Sequence, residues 1–91
     1  MTDTQMLVGS LSNDMFRVAS LAQRGSHKAA SRFLAEAQRW SKDLQGDEVA
    51  DYIARLAADI SKREVTDISL ASAERYLMYG VLLQNYALHN T

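Results

Sequence analysis

Ninety-one residues are enough for one hydrophobic core and too few for a second. Ten Lys and Arg against eleven Asp and Glu leave a net charge of −1, which argues against bulk attraction to nucleic acid or to an anionic membrane. The absence of cysteine removes disulfides, thiolate metal sites and cysteine nucleophiles together, and it suits a reducing compartment.

The chain has no proline and no alternating β-branched runs, whereas Ala, Leu, Gln and Arg are frequent. That composition favours helix, and the expected fold is all-α, a single domain over 1–91. The first helix is expected over 3–23, opened by Thr2 and Gln5 at capping-box spacing. On it Leu7, Leu11, Met15, Val18, Leu21 and Ala22 share one face. Gly9-Ser10 interrupts the pattern at a cost of roughly 1 kcal/mol against alanine, and a restart at Ser10 or Ser12 is the alternative. Asp14 falls at the edge of the apolar face. It reads either as a boundary carboxylate paired with Arg17 or as a partly buried acid with a raised pKa.

Arg24-Gly25-Ser26 is a stop–start signal, with glycine for the left-handed residue and serine for the next N-cap. The second helix is expected over 27–44. Ala30, Phe33, Ala37, Trp40 and Leu44 lie on its core face, with Trp40 as the largest anchor and its indole N–H at the rim. Lys28, Arg32, Arg39 and Lys42 gather on the opposite face, with Arg24 and His27 just before them. They form a possible phosphate-binding stripe, although Glu36 and Asp43 flank it and no aromatic residue interleaves for base stacking.

Gly46 and Asp47 repeat the punctuation. A third helix is expected over 48–63, its first turn enriched in acid by Asp47, Glu48 and Asp51. Val49, Ile53, Leu56, Ala57 and Ile60 form its stripe, widened by Tyr52, and Asp51–Arg55 and Asp59–Arg63 pair along its back. The fourth helix is expected over 67–89, with Thr66 as N-cap and Val65 with Leu70 at staple spacing. Four such helices joined by short turns read as an antiparallel four-helix bundle.

The fourth helix is apolar nearly all round. Leu70, Leu77, Val81 and Leu88 are expected as its core spine. Ala73, Gly80 and Ala87 recur at heptad spacing beside them as a close-packing seam, flanked by Tyr76 and Leu83. Met78, Tyr79, Leu82 and Tyr86 then form a second stripe, expected to face a partner, either a second copy in a homodimer or another helical protein. Gln84 and Asn85 are candidates for fixing register there. In this reading dimerisation completes the bundle.

The catalytic search finds no motif. His27 and His89, the only histidines, belong to no H-E-x-x-H or E-x-x-H pattern, so no metal is expected. The chain also lacks a phosphate-cradling glycine loop and a nucleophile elbow, and a helix-turn-helix over 48–89 would put leucines where bases are read. No cofactor is expected. The leading expectation is a non-enzymatic adaptor or assembly subunit acting through the fourth helix. The alternative is a nucleic-acid-associated accessory protein using the basic face of the second. A small enzyme or ligand sensor built on Asp14 or Gln84 comes third. No basic, apolar leader opens the chain, and the run 76–88 is shorter than the about 20 residues that a membrane-spanning helix needs. A soluble, cytoplasmic protein is therefore expected.

Overall fold

Two glycine-marked turns and one acidic loop divide the chain into four helices. A computed structural model describes residues 3–89; the proposed cap at Thr2 lies outside them. The helices are α1 (Asp3–Gln23), α2 (His27–Leu44), α3 (Asp51–Lys62) and α4 (Leu70–His89), and the described residues contain no strand. They form a four-helix bundle of about 35 × 21 × 18 Å in which α1 packs against both α2 and α4, α2 packs against α3, and α3 meets α4 more sparingly. No helix among the described residues is long and apolar enough to cross a membrane.

The α1–α2 turn follows from Gly25, which takes φ +79°. Its N–H bonds the carbonyl of Ala22, and Ser26 N–H bonds the carbonyl of Leu21. This is the Schellman arrangement, which satisfies carbonyls a helix end would otherwise leave free. Ser26 occupies the N-cap position of α2 without a side-chain capping bond. Gly9 does not break α1, which is continuous through it.

Both later helices begin three residues past the expected position. α3 starts at Asp51, and the preceding segment is held at its two ends, Asp47 and Ala50, by partners from other elements. Thr4 Oγ1 donates to Asp47 Oδ2 at 2.9 Å, and the backbone N–H of Ala50 donates to the Tyr86 hydroxyl at 3.1 Å. Ala50, not Asp47, is therefore the N-cap. α4 starts at Leu70, capped by Ser69 Oγ, which accepts from Ser72 N–H at 3.1 Å. Thr66 lies in a turn instead, and the Val65–Leu70 staple does not form, both residues being exposed.

One core runs through all four helices. Val8, Leu11, Met15, Val18, Leu34, Leu44, Ile53, Ile60, Tyr76 and Leu83 are fully buried. On α2 the buried line is Ala30–Leu34–Ala37–Ser41–Leu44, while Phe33 and Trp40 pack at its border. The largest fully buried side chain is Tyr76 rather than Trp40.

Candidate interface on the fourth helix

Which face of α4 turns inward is decided by its tyrosines. Tyr76 donates its hydroxyl to the Asp67 carbonyl at 2.9 Å, Tyr79 donates to Asp59 Oδ2 at 2.6 Å, and Tyr86 accepts from Ala50 N–H. Each ring is large, and each hydroxyl has a polar partner when the ring is covered. Tyr52 meets Tyr86 edge to face at 6.1 Å. The small-residue seam meets α1 at Gly80. Ala73 and Gly80 are buried and Ala87 partly so, and an added Cβ at Gly80 would stand 3.0 Å from the Phe16 ring. Beside it, Ser12 Oγ donates to the Gly80 carbonyl at 2.8 Å.

The rotation set by these contacts corrects the expected faces of α4. Tyr79 is buried in the chain's own core, Leu82 and Tyr86 pack against that core, and of that stripe only Met78 stands exposed. The expected spine faces outward instead. Leu70 is 68% exposed, Leu77 42%, Val81 43% and Leu88 64%. An aromatic ring buries more apolar area than a leucine, so three tyrosines with hydroxyl partners outweigh a leucine spine in choosing the buried face.

The exposed residues line up. Taking Leu70, Leu77 and Gln84 as one row and Glu74, Val81 and Leu88 as the next gives alternating steps of four and three, the d and a positions of a heptad. Glu74 carries the one charge in these rows. On the α1 side the surface continues through Met6, 54% exposed, and an open groove of about 690 Å³ whose lining includes Gly9, Asn13, Gln84, Ala87 and Leu88. An added Cβ at Gly9 would meet nothing within 4 Å, so this glycine leaves the groove open.

The other sequence candidates are dispersed. Lys28, Arg32, Arg39 and Lys42 are all exposed, and none of them is ion-paired among the described residues. Asp14 is buried at 2% exposure, with Arg17 only 3.7 Å from one oxygen and no hydrogen-bond partner for Oδ2. Burial foremost, and then the Glu36 charge, push its pKa up to about 6 against the opposing pull of Arg17, the Trp40 indole and Arg39. It does not line the groove between α1 and α4.

A polar network ties α3 to α4 at one end of the bundle. Arg63 bonds Asp59 at 3.0 Å and Asp67 at 2.8 Å and lies over the Tyr76 ring, 5.4 Å from its centroid. Ser72 Oγ adds a 2.6 Å bond to Asp67. Gln38 of α2 donates to the carbonyl of Ile60 in the last turn of α3 and to that of Arg63, the C-cap residue. Burial raises the pKa of Asp59, but the bonds from Tyr79 and Arg63 outweigh it and hold the carboxyl below its ordinary range. The Ser72 bond is the main cause of the same lowering at Asp67. Every member has a partner within the chain, which is the pattern of a structural clamp. The expected Asp59–Arg63 pair is formed, while Asp51 and Arg55 are not ion-paired among the described residues. Nor do any three His, Asp or Glu side chains among them gather into a set able to hold a metal ion.

Compared with protein-family models, with curated proteins and with solved structures, the chain matches none of them.

Proposed function

We propose that this protein is a non-enzymatic interaction or assembly subunit whose partner docks on the outer face of α4. The observation that carries the reading is the row of Leu70, Leu77, Val81 and Leu88, each between 42% and 68% exposed, on a helix whose opposite face is already committed to the core. Soluble monomers rarely leave contiguous apolar surface of this kind uncovered. The heptad spacing suits a helical partner, because side chains recurring at these steps form a straight seam for another helix. The small uncharged surface of α1 beside it widens the platform.

The test is a Leu77→Glu/Val81→Glu double variant. Both side chains are about half exposed, so the fold tolerates the change, with stability altered by about 1 kcal/mol. Sedimentation equilibrium and affinity capture with wild type and variant are then compared. The reading expects wild-type association, with itself or with another protein, that the variant loses. A wild type that associates with nothing, or a variant that associates as well as wild type, overturns it.

A further inference from the structure

Resting on that reading, we infer that the partner is a second copy of this chain, docked with the two α4 helices antiparallel about a two-fold axis level with Tyr79. The exposed rows are complementary to themselves in this one register. Reversing the helix about residue 79 sets Leu70 against Leu88 of the second copy, Leu77 against Val81, and Glu74 against Gln84. Every aliphatic residue of the stripe meets an aliphatic residue, and the two polar residues meet each other. Antiparallel helix pairs place a opposite d, and these three pairings are of that type. A two-fold axis repeats each of them, as an isologous interface requires.

Charge decides against the parallel alternative. Glu74 is the one charged residue in the two rows. Side by side in parallel, Glu74 would face its own copy in the middle of an apolar seam, two like charges in a partly dry site. Antiparallel, each carboxylate meets a Gln84 amide, which can donate to it, and no like charges touch. The footprint fits as well. The rows run about 27 Å at 1.5 Å per residue. With α1 packed alongside, the two-helix face spans about 20 Å across. That is on the order of 500 Å² per copy in projection, or about 1,000 Å² in total, at the lower limit for a specific interface.

The register predicts the sign of two charge substitutions at an exposed position, where folding is not at risk. Gln84→Lys sets a cation opposite Glu74 of the second copy at two symmetry-related places, so dimerisation tightens by roughly two- to thirty-fold at low salt. Gln84→Glu sets carboxylate against carboxylate and weakens it by a similar factor. In a parallel pair both substitutions would place like charges together and both would weaken the dimer. Sedimentation equilibrium on wild type and the two variants reads this directly. The natural absence of cysteine gives a second measurement. Mixing single variants Leu70→Cys and Leu88→Cys should give mostly mixed disulfide dimers under mild oxidation, because those positions adjoin across the axis. Opposite shifts from the two Gln84 variants together with mixed cross-links support the inference. Weakening by both variants, no effect of either, or a preference for Leu70→Cys self-links overturns it. So does a monomeric wild type. If that monomer still binds another protein in a manner lost in Leu77→Glu/Val81→Glu, self-pairing fails while the docking role of α4 stands; if it binds nothing, both fail.

Discussion

Replacing Asp14 with asparagine should flatten the dependence of stability on pH. The carboxyl sits at 2% exposure on α1, with Oδ2 unpartnered and Glu36 nearby, and its pKa rises from 3.8 to about 6 on folding. Between those two values the folded chain binds more protons than the unfolded chain. Stability therefore falls as pH rises, from a contribution fully present below 3.8 to one lost above about 6. The gap, at 1.36 kcal/mol per pH unit, amounts to about 3 kcal/mol. Asp59 and Asp67, whose pKa values are lowered, act in the opposite sense. Their contribution is present above the ordinary carboxylate range and is lost as pH falls through their folded values, so they do not mask the window above it. The assay is urea unfolding at a series of pH values. With a slope of roughly 1–3 kcal/mol per molar urea, the wild-type midpoint should drop by about 1–3 M across the window. In Asp14→Asn that drop should vanish, and Glu36→Gln should shrink it, since the Glu36 charge helps raise the pKa. A wild-type midpoint that is flat across the window, or an Asp14→Asn variant that keeps the wild-type slope, refutes the assignment of Asp14 as a buried acid whose pKa rises on folding.

Other substitutions probe the remaining features. Gly9→Ala adds a methyl group where nothing lies within 4 Å and removes a flexible residue from the middle of α1, so chemical denaturation should show a gain of about 0.5–1 kcal/mol. A loss instead would mean that the groove floor is closed. Tyr79→Phe removes the 2.6 Å bond to Asp59 and should cost about 1–2 kcal/mol. The same change should raise the Asp59 pKa towards the ordinary carboxylate range, as followed by NMR titration. An unmoved Asp59 would show that the Tyr79 hydroxyl does not hold it down.

The parts of the fold legible in the sequence are those fixed by local chemistry. The boundaries of α1 and α2 were readable because Gly25 supplies the left-handed residue that ends one helix. The starts of α3 and α4 were not, since Asp47 and Thr66 have good cap chemistry, but Asp47 is engaged by Thr4 and Thr66 is displaced by Ser69. Tyr86 takes the Ala50 N–H from 36 residues away, and Ser69, nearer to the packed helix, caps α4. On α2 the bulk of Phe33 and Trp40 drew the expected face towards the border, whereas the buried line passes through Leu34 and Ser41, a serine that mutes the apolar signal. The candidate site shows the same limit. The two apolar stripes of α4 were visible, as was the close approach that Gly80 allows. Periodicity cannot rank two apolar faces of one helix, however. The ranking came from hydroxyl partners at the N-cap of α3, on α3 and in the segment before α4, which the tertiary structure brings within reach of Tyr86, Tyr79 and Tyr76.

The most direct test of the outward face of α4 as the docking surface is a methyl NMR spectrum followed as the protein is concentrated from high dilution and as candidate partners are added. Shifts or broadening are expected at the methyl groups of Leu70, Leu77, Val81 and Leu88, with the buried methyls of Leu34, Ile53 and Ile60 and the basic face of α2 unmoved. Association that leaves the four α4 residues unchanged and perturbs the neighbourhood of Lys28, Arg32 and Arg39 instead would contradict it.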